Sequence, residues 1–301
     1  MKRVIVENGK RKTITKPTFK KLWGGDKITR LVGVHDALMS QIVQDAGFEG
    51  LWLSSFELHA SARLPDADIL TVKDYADAIS KIADRVNIPI LVDGDCGGGS
   101  PINTIRMVRE YDKAGASGIC LEDAQYPKRC ALYDRKVRLA SPSQHAQKIR
   151  AAKENRINRD FVVVARVEAL IAGATVATAV ARAKAYIDAG ADAILIHCKD
   201  KEPDRVFEAA SHITCVPVVV VPTMYPDVTE RELYAEGIRC VIYANCGIRA
   251  QVCIMEVIMK RLAFSRGLYS LHDHIVPLQE IYDLVGVKDL NENERRYSTR
   301  M

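Results

Sequence analysis

The 301-residue chain has no CxxC pair, no glycine-rich dinucleotide fingerprint and no shift in composition that would divide it into domains. Its eight cysteines are Cys96, Cys120, Cys130, Cys198, Cys215, Cys240, Cys246 and Cys253. Most lie in apolar, strand-like runs, where a thiol behaves as a small hydrophobe. That pattern argues against a disulfide framework and for a reducing compartment. No run is long enough to span a bilayer. The first residues, MKRVIVENGKRKTITK, lack the continuous apolar stretch of a signal peptide. The expectation is a cytoplasmic protein. Charge of one sign is also scarce: the formal balance of +5 is too small to argue for nucleic acid.

What is present is an alternation of two textures between residues 30 and 263. Short β-branched runs read as buried parallel strands: LVGV, LWLSS, IPILVD, GICLED, FVVVAR, AILIH, PVVVVP and CVIYA. Between them lie amphipathic segments such as ALMSQIVQDAG, TVKDYADAISKIADRV and VATAVARAKAYIDAG. Gly47, Gly115, Gly190 and Gly237 stand where helices should close before the next strand, as left-handed caps. Eight strand–helix repeats predict one (β/α)₈ TIM barrel. A doubly wound open sheet is the competing architecture, but the first strand–helix junction, VGVHDAL, carries no phosphate-binding glycines. Residues 1–28 read as a basic N-terminal arm or short helix covering the barrel bottom. Residues 265–301 read as appended helices and a tail, all within a single domain.

In such a barrel, chemistry gathers where strands end. The polar residues there are Ser54 and Ser55, Asp93 and Asp95, Glu122, Arg166 with Glu168, His197, and Asn245 with Arg249. Asp93, Asp95 and Glu122 form a hard oxygen set without imidazole or thiolate neighbours, which suits Mg²⁺ or Mn²⁺ rather than zinc. The bland alternative is that the two aspartates only hydrogen-bond a glycine-rich turn. Arg166 ends an apolar run and offers its fork to a substrate carboxylate, or else pairs with Glu168 or Glu122. His197 either touches substrate or ties neighbouring strands together. The segment EDAQYPKRCALYDRK places Lys128, Arg129 and Cys130 in a polar loop after the fourth strand. A thiol between cations is a candidate acid, base or nucleophile, against the alternative of a chance loop cysteine.

These residues resemble the isocitrate lyase/phosphoenolpyruvate mutase superfamily from Leu31 to about Val287. The marks are the DGDCGGG turn, the LEDAQYPKRC segment and the AGF-GLW start of the second strand. SSFELHASARLPDADIL, ARVEALIAGAT with ADAILIHCK, and VPTMYP with VIYANCGIRA resemble the branch that handles phosphonopyruvate, the mutases and hydrolases.

The resemblance implies a barrel with a swapped eighth helix, a homotetramer built as a dimer of dimers, and a small 2-oxo acid substrate handled through its enolate. It implies Mg²⁺ on Asp93, with Asp95, Glu122 and Asp66 reached mainly through water. The oxo acid would meet Ser54, Ser55, Phe56 and Arg166, with His197 near the transferring group. One loop departs from the mutase pattern: Ala124, Cys130 and Ala131 replace its Lys, Asn and Ser. The PKRC run resembles instead the catalytic-cysteine loop of C–C lyases, without the Gly-His that follows there. Two reactions are therefore expected to compete: P–C rearrangement or cleavage of phosphonopyruvate, and Cys130-dependent C–C cleavage of a 2-methylisocitrate, alkylmalate or oxaloacetate type of acid. A barrel that has lost catalysis and only binds is a remote third.

Overall fold

The computed structural model describes residues 2–7, 10–129, 137–265 and 267–298. The chain divides into two compact units, residues 1–246 and 247–301. The first opens with an antiparallel hairpin, β1 (Lys2–Glu7) and β2 (Lys10–Thr15), followed by the short helix α1 (Phe19–Trp23). It continues through β3 (Thr29–Val34), α2 (Ala37–Asp45), β4 (Gly50–Leu53), α3 (Ser55–Ser61), α4 (Val72–Ala83), β5 (Ile90–Asp93), α5 (Pro101–Ala114), β6 (Gly118–Glu122) and α6 (Pro142–Asn155). The remainder is β7 (Val162–Val167), α7 (Val176–Asp188), β8 (Ala193–Ile196), α8 (Asp204–Ser211), β9 (Val218–Val220), α9 (Glu230–Ala235) and β10 (Ile238–Tyr243). The second unit carries α10 (Cys246–Ser265, beginning at the unit boundary), α11 (Leu278–Leu284) and α12 (Val287–Tyr297).

Strands β3 to β10 pair in parallel and close on themselves, β10 beside β3, which excludes the open sheet. All eight strand-like runs of the sequence are barrel strands. The predicted glycine caps also hold: Gly47, Gly115, Gly190 and Gly237 have φ of 86°, 106°, 101° and 83°, where a Cβ would strain the chain. Helix starts follow local chemistry as well. Ser141 and Gln144 form a reciprocal capping box ahead of Pro142, and Thr71 with Asp74 does the same for α4.

Two apolar layers result from the period-2 alternation of strand side chains. One set packs under the helices: Val34, Leu53, Val92, Leu121, Val163, Ala165, Val167 and Ile196 belong to it. The other set fills the barrel itself: Leu31, Trp52, Leu91, Cys120, Val162, Val164, Leu195 and Ile242, with Phe19 and Trp23 of α1 in the same cluster. Phe19 and Trp23 stack at 5.2 Å and are buried, so the N-terminal segment does supply a plug for the barrel. No helix among the described residues is long and apolar enough to cross a membrane.

Candidate active site

The same alternation builds the site. Counting two residues onward from each inward residue gives Ser54 after Trp52, Asp93 after Leu91, and Glu122 after Cys120. Val164 leads to Arg166 and then Glu168, and Leu195 leads to His197. The polar side chains are therefore the next inward layer at the strands' C-terminal ends, and register sets Glu122 directly beside Arg166. All are buried.

Two linked clusters occupy this mouth. In the first, the Lys128 ammonium contacts Asp95, lies 3.1 Å from Asp66 and 3.9 Å from Asp93. The Lys128 amide donates to Asp68, tying the loop after β6 to the 63–71 segment. Ser55 Oγ sits 2.7 Å from Asp66 and 3.0 Å from Asp95, and the Tyr75 hydroxyl donates to Asp95 at 3.1 Å. His59 braces this side, with Nδ1 at 2.8 Å from the Ser55 carbonyl and Nε2 accepting from the amides of Ile69 and Leu70. In the second cluster, Arg166 binds Glu168 through Nε and lies 3.6 Å from Glu122 and 4.0 Å from Asp93. His197 Nδ1 is 2.8 Å from both Glu168 Oε1 and Arg166.

Electrostatics separate the acids into two kinds. Burial, with the neighbouring aspartates, outweighs Lys128 and pushes Asp95 up to about 7; burial, with Glu168 and Asp93 adding, likewise raises Glu122 to about 8. Burial alone would raise Glu168 too, but Arg166 and His197 overcome it and hold the group at about 2. Asp66 is also burdened by burial and is held below its ordinary value by Lys128 and Ser55. Five carboxylates thus face two permanent cations.

No three His, Cys, Asp or Glu side chains among the described residues come close enough to grip one ion directly. The donor set still fits magnesium, which takes one or two carboxylates and keeps several waters. One atom points the same way: Glu122 Oε2 is buried with no hydrogen-bond partner among the described residues. An unpaired buried oxygen is costly, and a hydrated cation relieves that cost.

Of the other expected site residues, Ser54 is buried and caps α3, its Oγ accepting the Glu57 amide at 3.2 Å. Phe56 lies on the first turn of α3 and is 39% exposed. Arg129 is exposed and bonds the Lys128 carbonyl, while Cys130 lies outside the described residues. Arg166 takes the structural pairing with Glu168 and lies near Glu122 and Asp93 as well. Glu168 was named only as a pairing partner, yet it bridges Arg166 and His197. Its inward register in FVVVARVEA was the available signal.

A match to the family model described as phosphoenolpyruvate phosphomutase spans residues 19–263. The chain belongs to the phosphoenolpyruvate phosphomutase family. It is 40% identical to phosphonopyruvate hydrolase from Variovorax sp. (strain Pal2) over 269 residues, 88% of this chain and 93% of that one. The structure of phosphoenolpyruvate phosphomutase from Streptomyces platensis subsp. rosaceus superposes with a TM-score of 0.90 at 37% identity, covering 92% of this chain and 97% of the other. A crystal structure of phosphonopyruvate hydrolase in complex with oxalate and Mg²⁺ gives a TM-score of 0.85 at 39% identity, covering 90% and 94%. As a phosphomutase-family barrel, the chain is an enzyme of the superfamily that the sequence resembles, and P–C bond chemistry runs among its relatives.

Proposed function

We propose that this enzyme hydrolyses the P–C bond of phosphonopyruvate, giving pyruvate and phosphate, with Mg²⁺ (or Mn²⁺) held at Asp93 and, through water, at Asp95, Glu122 and Asp66. The carrying observation is the buried mouth where Arg166 stands 3.6 Å from Glu122 and 4.0 Å from Asp93, beside His197. When bound, the metal supplies Lewis-acid stabilisation of an enolate oxygen. Arg166 offers its guanidinium to the substrate carboxylate, Lys128 balances the acids around it, and the buried walls limit water to the one that reacts. The likeness to a phosphonopyruvate hydrolase supports hydrolysis over rearrangement. So does the loop at Ala124, Cys130 and Ala131, which lacks the amide and hydroxyl that a mutase lid brings to the phosphoryl group.

The PKRC run supports a second reading, a C–C lyase in which Cys130 exchanges a proton at C3. A pyruvate-release assay with phosphonopyruvate, oxaloacetate and 2-methylisocitrate, followed by phosphorus NMR, separates the readings. Hydrolysis predicts pyruvate and inorganic phosphate from the first alone; rearrangement without release, or turnover of only the carbon acids, would overturn it. A homotetramer with a swapped eighth helix belongs to the same proposal, and light scattering of the purified protein tests it.

A further inference from the structure

His197 presents a contradiction that proton chemistry must resolve. Its Nδ1 lies 2.8 Å from Glu168 Oε1 and 2.8 Å from a guanidinium nitrogen of Arg166. A carboxylate only accepts and a guanidinium only donates, so a single ring nitrogen cannot satisfy both. If Nδ1 carries the proton, it donates to Glu168, and Arg166 NH2 needs another acceptor. The nearest is Glu122 Oε2 at 3.6 Å, outside hydrogen-bond range, so this arrangement leaves one of the five guanidinium donors unmet. If Nδ1 is bare, its lone pair faces the buried anionic oxygen of Glu168 at 2.8 Å. The first arrangement replaces that buried repulsion with a charge-assisted hydrogen bond. Glu168 is itself fully buried and fixed from behind, since its amide donates to Asp123 at 2.8 Å. Asp123 in turn accepts from Arg182 at 2.8 Å and from Tyr186 at 2.6 Å.

We infer that Glu168 is a positioning residue that holds His197 with its proton on Nδ1, leaving Nε2, which no described protein group engages, as the base of the site. The inference deepens the hydrolysis reading and rests on it for the identity of the reaction. In that reaction the water oxygen bonds to phosphorus while its proton passes to Nε2. The P–C3 electron pair leaves as the enolate, and Nε2 then returns the proton to C3. Pyruvate and phosphate form, and the imidazole ends neutral, as it began. Throughout, Nδ1–H stays on Glu168, whose charge supports the transient imidazolium.

Nitrogen-15 NMR of the full-length, Mg²⁺-loaded protein, labelled in its seven histidines, reads the tautomer without turnover; H197Q assigns the resonance. The wild-type ring should be protonated on Nδ1, and a proton on Nε2 there overturns the inference whether or not any variant folds. In Glu168→Gln the amide can donate to Nδ1, so the proton should move to Nε2. With phosphonopyruvate, kcat should fall by about a hundredfold, the scale of lost acid–base help, while KM changes by no more than about threefold. A variant that keeps kcat within about twofold sinks the base assignment. A wild-type enzyme that ignores phosphonopyruvate yet shows the Nδ1–H ring overturns the hydrolysis reading alone.

Discussion

At the scale of single residues, position decides what each charge can do. Asp93 is the inward residue that ends β5, and it lies within 4.0 Å of both Lys128 and Arg166. Replacing it with alanine removes the anchor proposed for the metal and one of the carboxylates that Lys128 and Arg166 approach. Asp93→Ala should abolish turnover of every substrate class and remove the magnesium heat seen by titration calorimetry; retained binding would move the metal elsewhere. Arg166→Lys is the complementary case. A lysine keeps the charge but loses the planar fork that now serves Glu168 and faces Glu122. Its kcat/KM should fall by about a hundredfold or more, within the range for losing one charge-stabilising donor. Gly33 shows a steric constraint of equal severity. A Cβ there would come within 1.9 Å of Glu57 Oε1, a buried carboxylate oxygen that also accepts the Asn245 amide at 2.9 Å. Because Glu57 is tied down, Gly33→Ala should cost about 1–3 kcal/mol, the usual toll of overpacking, read as a lower urea midpoint at unchanged m.

At the scale of elements, the barrel was legible because its strands obey one rule. Most runs are short and rich in β-branched residues, five of the eight close on a polar residue, and inward positions such as Leu91 and Cys120 lead two residues later to Asp93 and Glu122. Asp93, Glu122, Arg166 and His197 could therefore be found from spacing, whereas Asp66 entered only through the resemblance. Glu168 was legible only as a partner of Arg166, although the alternation continues one step further in ARVE and sets it inward beside His197. The N-terminal hairpin escaped too, although Asn8-Gly9 between two short runs was an available turn signal in an otherwise basic segment. Elsewhere an ion pair joins the starts of neighbouring strands: Glu49, just before β4, accepts from the Arg30 amide and Nε at 2.9 Å and from NH2 at 2.6 Å. Partial burial works against the Glu49 charge, but these bonds win and lower its pKa. A lowered carboxylate stabilises the fold above its unfolded value and loses that contribution as pH falls through the folded one. Glu49→Gln should accordingly cost about 1 kcal/mol near neutral pH, modest because the pair is a third exposed. The gap to wild type should close between about pH 5 and pH 3 in urea unfolding; a gap independent of pH would assign it to packing instead.

At the scale of the whole molecule, the charge distribution dictates an order of binding. The chain carries a formal +5, yet its buried mouth collects Asp66, Asp93, Asp95, Glu122 and Glu168 against only Lys128 and Arg166. A dianionic oxo acid brought to that mouth without a cation meets net repulsion in a low-dielectric setting, where like charges are screened weakly. Asp95 and Glu122, raised by burial to about 7 and about 8, register the same shortage of positive charge. On the proposed chemistry, divalent metal is expected to precede or accompany the acid. Oxalate, a mimic of the enolate, should raise the melting temperature only when magnesium is present. At one hundred times its Kd under those conditions, a ligand specific to the native state adds about 2.7 kcal/mol. With the metal chelated, the oxalate shift should vanish, and with Asp93→Ala it should vanish even in excess magnesium. Oxalate that stabilised the chelated wild type as strongly would mean that the anion finds its counter-charge in Lys128 and Arg166 alone, and the mouth would then be an anion site rather than a metal-assisted one.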